Sequence, residues 1–103
     1  MNKNERTVEA LRNSFEGKIY VYFSTKEIFR RFIEDAEAEG YLIGDRKPTE
    51  ANPSYDIKAI LHDKQICSCG AVSHMAYQAG GSNIHRIDYG KYINGDDDYE
   101  DVR

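Results

Sequence analysis

Both cysteines and two of the three histidines of this chain fall in one stretch, Tyr55 to Gly81, YDIKAILHDKQICSCGAVSHMAYQAGG. Cys67, Cys69, His74 and His62 offer thiolate and imidazole, the side chains that hold zinc. Their spacing, C-x-C-x4-H, departs from the usual zinc knuckle, and the chain has no second C-x2-C pair. A metal site on Cys67, Cys69 and His74 is therefore the secondary reading, and no cofactor is expected. The same side chains suggest a reactive thiol. A cysteine beside a helix N-terminus is activated, and Cys69 stands one residue before Gly70 and the start of an expected helix, with His74 as the base. Such an enzyme also needs an orienting group and an oxyanion site. Asp63 and Asp88 both qualify as orienter, and nothing in the spacing chooses between them. No catalytic residue is assigned. The plainer reading is that both cysteines are small apolar side chains on a buried strand.

A small-molecule or anion site is expected instead at the bend Cys69, Gly70, Ala71. A helix N-terminus presents unpaired amides, and a glycine lets a ligand approach the backbone. His74 stands one turn into that helix, and His62 or Arg86 would approach from neighbouring strands. The simpler account is that Gly70 only bends the chain from strand to helix.

These residues need elements to position them. Val8, Leu11 and Phe15 form one stripe, which predicts a helix over Glu5 to Phe15 with Gly17 as its stop. KIYVYF, Lys18 to Phe23, alternates with large side chains on both faces and predicts a central strand. Ser24 and Glu27 make an S-x-x-E capping box. Behind it, Ile28, Phe29, Phe32, Ile33 and Ala36 form a wide apolar stripe, so a helix is expected over Thr25 to Glu39, closed by Gly40. Tyr41 to Ile43 would be the return strand. Gly44 to Ser54, with Pro48 and Pro53, reads as a loop.

Tyr55, Ile57, Ala59 and Leu61 alternate with polar positions and predict a half-buried strand. A two-residue turn at Asp63-Lys64 would return it as Gln65 to Cys69. That register puts Leu61 opposite Ile66 and assigns Tyr55, Ile57, Ala59, Leu61, Ile66 and Ser68 to the core face. Ala71 to Ala79 reads as a third helix, Ile84 to Tyr89 as a last strand, and Asp88 as the cap of a final turn carrying Tyr92 and Ile93.

The expected fold is α+β: a small single domain, residues 1–95, with a mainly antiparallel sheet of four or five strands and two or three helices. The split β-α-β, ferredoxin-like topology is favoured. Residues 96–103 form an acidic C-terminal tail, expected to be mobile. The tail lacks the D-x-D-x-D-G pattern of a calcium loop.

The chain has 103 residues and a formal net charge of −4, with 14 basic residues scattered among 18 acidic ones. That pattern argues against direct nucleic-acid binding, which needs clustered cations. No apolar run reaches membrane-span length, and the N-terminus is too polar for a signal peptide. Cys67 and Cys69, one residue apart on a strand, are read as reduced thiols, which points to the cytoplasm. The function expected is that of a non-catalytic binding or regulatory protein, acting through a protein partner or a small ligand. An exposed tyrosine face or edge strand would favour a homodimer. The alternative is the thiol- or metal-dependent site on Cys67, Cys69 and His74.

Overall fold

The first helix forms where Thr7 can cap it. In the computed structural model, which describes residues 6–53, 55–67 and 84–100, α1 runs Val8–Asn13, and Thr7 Oγ1 accepts from Ala10 N at 3.0 Å. The Glu39 carboxylate, from the far end of the second helix, accepts from Val8 N at 2.8 Å and Glu9 N at 2.9 Å. Amides that the helix itself leaves unpaired are thus satisfied from outside. Arg12 is buried and donates to the carbonyls of Ile60, Phe15 and Gly17. It pins the end of α1 to the sheet.

Strand β1, Lys18–Tyr22, and helix α2, Lys26–Ala38, form as the apolar patterns require. The cap of α2 is Thr25, not Ser24: Thr25 Oγ1 accepts from Ile28 N at 3.2 Å. Both residues are good cap types, and Phe29, Phe32, Ile33 and Ala36 of the helix face inward. Gly40 follows with φ +86°, the left-handed stop expected of it.

Tyr41 to Ile43 is not a full return strand. Leu42 makes one parallel bridge to Gln65, and Ile43 bridges Arg46 within its own turn. The segment expected to be a loop contains a short helix, α3, Pro48–Ala51, with proline in its first turn. Pro48 is a starter here and not a breaker, because the first helical amide needs no partner. The chain then runs back to the end of β1 and enters β2, Lys58–Ile60, which pairs antiparallel with β1.

The β2 turn departs from expectation. Ile60 pairs with Ile66 of β3, Ile66–Cys67, and Leu61 N donates to Gln65 O at 2.8 Å. The loop therefore holds three residues, with Asp63 and Lys64 both at positive φ. A one-residue slip exchanges the faces of a strand. Lys58, Ile60 and Ile66 lie under the helices, while Leu61 is 43% exposed and Tyr55 44% exposed. Ile57 and Ala59 are buried on the opposite face, with Tyr20.

Strand β4, Ile84–Asp88, lies on the other side of β1 and runs parallel to it, from Lys18↔Ile84 to Tyr22↔Asp88. Asp88 caps the last helix, α4, Tyr89–Asn94, as its position suggested. Gly90 in α4 is a close approach: a Cβ there would meet Ile28 Cδ1 at 2.7 Å. The described sheet is four-stranded and mixed, in the order β3-β2-β1-β4. The domain is a small α+β unit, with four helices among the described residues. It is not ferredoxin-like. That topology would insert a strand between two parallel strands joined by a helix, whereas here β1 and β2 are direct antiparallel neighbours and the parallel pair is β1 with β4.

The main core joins α1, α2 and α4 to one sheet face through residues such as Leu11, Ile19, Phe32, Ile87 and Tyr89. The acidic end is not free up to Glu100. Asp88 N donates to Tyr99 O at 2.8 Å, and the Tyr99 ring meets Tyr92 edge-on at 5.0 Å. His85 lies 2.7 Å from the Glu100 carboxylate, and the Arg6 guanidinium sits over the Tyr99 ring at 5.2 Å. A tyrosine inside an acidic run gives it something to dock with. Among the described residues no helix is long and apolar enough to cross a membrane.

Candidate functional site

The bend proposed from sequence lies outside the described residues: Cys69, Gly70, Ala71 and His74 all fall in 68–83. So do Ser68 and the expected helix at 71–79. The residues meant to approach that bend are described, and they do not converge. His62 is exposed on the hairpin loop, while Arg86 is buried on β4. Arg86, Tyr20, Ala59 and Cys67 form one row across the sheet. Three strand spacings separate the ends of that row, about 14 Å between the backbones of Arg86 and Cys67.

Cys67 is disulfide-bonded, against the expectation of a reduced thiol. That expectation rested on extended geometry on both sides of residue 68, which is not among the described residues. The argument for a reducing compartment loses its support with it, and so does Cys67 as a nucleophile. Among the described residues no group of three or more His, Cys, Asp and Glu side chains is arranged to hold a metal ion.

A different concavity stands out. The cleft of about 460 Å³ opens between α2, α3 and the segment that leads into β2. Such a volume is typical of small-molecule sites. Phe29 and Ile33 form one wall from α2, and Pro48, Pro53 and Tyr55 form the other. Lys26, Arg30 and Glu34 line it from α2 at four-residue spacing, and Thr49 and Asn52 face them. Two cations against one carboxylate leave the lining positive.

Local chemistry builds this cleft. The Glu37 carboxylate accepts from both the amide and the hydroxyl of Thr49, which ties α3 to α2. Those bonds, the hydroxyl's first, hold the Glu37 carboxyl below its ordinary pKa. Asn52, at φ +48°, ends α3 and turns the chain toward Pro53. Tyr55 is anchored by its hydroxyl, which donates to Phe23 O at 2.8 Å, and its ring lies 5.6 Å from that of Phe29. A shallower hollow of about 180 Å³, lined by Tyr22, Phe23, Tyr55, Asp56 and Ile57, shares Tyr55 with the cleft.

Behind Phe29 lies Lys58, the first residue of β2, fully buried on the helix-covered sheet face. Its Nζ sits 5.6 Å from the centroid of the Phe29 ring and makes no hydrogen bond. Burial lowers its pKa from the ordinary lysine value, partly offset by the charge of Asp56. The sequence did hold signals for this site. Pro48 at a helix start and Tyr55 after Pro53 are both visible, but they face α2 only once the chain has folded back. Compared with known proteins, the chain matches no family model, no curated protein and no solved structure.

Proposed function

We propose that this protein is a non-catalytic binding domain whose ligand is a small molecule carrying an apolar ring, held in the cleft between α2 and α3. One observation carries the reading: a cleft of ligand size has an aromatic and proline lining and two cations one helical turn apart. Phe29 and Tyr55 offer faces for a ring to pack on. Lys26 and Arg30 offer charge to an acceptor on the same molecule. Among the described residues that line the cleft, no serine, cysteine or threonine stands beside a histidine base, and the proposal accordingly includes no reaction. The cytoplasmic assignment rested on free thiols and is not carried into it.

The test is an amide NMR titration of the labelled protein with a set of small aromatic compounds. The expected result is saturable shifts confined to Phe29, Ile33, Thr49, Asn52 and Tyr55, lost in Tyr55→Ala. Shifts that never saturate, or that gather on another face, would refute the assignment.

A further inference from the structure

We propose that Lys58 contacts the acid group of the ligand in this cleft, and that the ligand is a small aromatic carboxylate. The inference rests on the reading of the cleft as a ligand site and names the chemistry that the site selects.

Lys58 is the first of the three residues of β2, paired with Val21 of β1. Its neighbours on that face are core residues such as Ile19 and Ile60, so the strand directs an amine where an apolar side chain is the ordinary choice. Buried polar atoms in folded proteins almost always have a hydrogen-bond partner, and a buried amine without one is costly. Lys58 Nζ is fully shielded and lacks such a partner. Asp56, two residues earlier, does not supply one: Lys58 Nζ makes no hydrogen bond, and Asp56 Oδ1 accepts from Ile57 N at 2.7 Å. The ring of Phe29 is the group over which the amine rests, at 5.6 Å. A ring face attracts a cation but satisfies none of its three donors.

Phe29 also lines the cleft. The amine is thus behind a side chain that the ligand itself would touch. When the Phe29 ring shifts off Lys58, an acid group at the inner end of the cleft accepts from Lys58 Nζ while the ligand's ring rests between Phe29 and Tyr55. The lip already favours an anion, through Lys26 and Arg30 against Glu34. Steering falls to these exposed cations, and selection falls to the buried one, where water does not screen the interaction. Burial lowers the pKa of the amine in the free protein. An arriving carboxylate favours the charged form and raises that pKa again, so binding draws a proton from solvent onto Lys58 over the pH range between the two values.

The probes are phenylacetate and its neutral isostere phenylacetamide, measured by isothermal titration calorimetry in buffers of different ionisation enthalpy. Wild-type protein is expected to bind the acid about tenfold or more tightly than the amide, the worth of one charge-assisted hydrogen bond. Measured at several pH values up to about 10.5, the ordinary lysine value, binding of the acid should take up protons, seen as a heat that varies with the buffer, whereas binding of the amide should not. Lys58→Met should bring the two affinities together and abolish the proton uptake while retaining amide binding. Lys58→Gln is the second variant, and the uptake measurement on wild type needs no variant. If Lys58→Met keeps the acid preference and Lys26→Met with Arg30→Met loses it, the lip selects the anion, and Lys58 has no part although the cleft reading stands. If wild type shows no preference, or no proton uptake at any of these pH values, the role of Lys58 is likewise overturned. If neither compound binds, the cleft reading falls, and this inference with it.

Discussion

Changing Tyr89 to Phe removes one oxygen atom from the joint between α2 and α4. Tyr89 is fully buried, and its hydroxyl donates to Asp35 Oδ2 at 2.6 Å. Asp35 also accepts from Arg31 Nε at 3.1 Å, and its side chain is 27% exposed. A hydrogen bond to a charged acceptor contributes about 1.5–3 kcal/mol. In Tyr89→Phe the carboxylate keeps Arg31 and turns its free lone pairs to water, so the expected loss falls at the low end, about 1–2 kcal/mol. Asp35→Ala should cost more. It strands a buried hydroxyl at about 1–3 kcal/mol and removes an i,i+4 ion pair worth about 0.3–0.5 kcal/mol. Urea unfolding of wild type, both single variants and the double variant gives the coupling energy, expected at about 1–2 kcal/mol. The same pair gives a pH signature. Burial, then the bond to Asp35, raises the Tyr89 phenol pKa above its ordinary value. The folded state therefore keeps a proton that the unfolded state loses near pH ~10, and stability falls as pH rises past that point. Tyr41 and Tyr92, both pushed up to about 12, add to the fall. Tyr89→Phe should lessen it. A coupling energy below about 0.3 kcal/mol, or an unchanged alkaline profile, would refute this account of the joint.

Phe32 is fully buried between the rings of Phe23 and Tyr89. Phe32→Ala should therefore cost about 3–5 kcal/mol in denaturant unfolding, a large part of the ~5–15 kcal/mol that holds such a domain. Tyr99→Ala should cost about 2–3 kcal/mol, because the ring packs against Phe15 and Tyr92; an unchanged melting temperature would return the acidic end to the status of a free tail. Lys58→Met should melt higher than wild type at neutral pH, by about 1–3 kcal/mol, since it replaces an unpaired buried amine by an apolar chain of similar length. The Lys58 pKa is lowered in the folded state, so the unfolded state binds more protons and wild-type stability rises with pH toward ~10.5. The advantage of Lys58→Met should shrink over that range, and urea midpoints across it provide the check.

Helix α2 was legible because its apolar stripe and its glycine stop are local and agree with one another, although two adjacent cap types, Ser24 and Thr25, hid which residue caps it. The register of the β2–β3 hairpin was not. Ile60 and Leu61 are adjacent and both apolar, so the strand fits either face, and a three-residue loop with Asp63 and Lys64 at positive φ has no glycine to announce it. The parallel pairing of β4 with β1 leaves no local trace, since each strand alternates well enough to join any neighbour. The cleft escaped for a related reason: its walls come from α2 and from a segment that reads as loop, and only the fold opposes them. Lys58 carried a signal that went unused. It breaks an apolar pattern in a strand that is otherwise buried, and a charge in that place marks a position worth explaining.

The ends of the domain are stitched together. Tyr92 Oη donates to Thr7 O across 85 residues, and Arg6 Nη1 donates to Tyr92 O across 86. Between them β1 takes β4 as its parallel neighbour. During synthesis β1 leaves the ribosome early and β4 late, separated by roughly 3 to 13 s of elongation. Through that interval β1, large and apolar on both faces, has an open edge, and α1 lacks the tyrosine that anchors it. Contacts so distant in sequence also slow folding once the chain is complete. The protein is thus most exposed to misassociation while it is being made, and slower growth or lower temperature should raise its soluble yield more than any change at its mature surface.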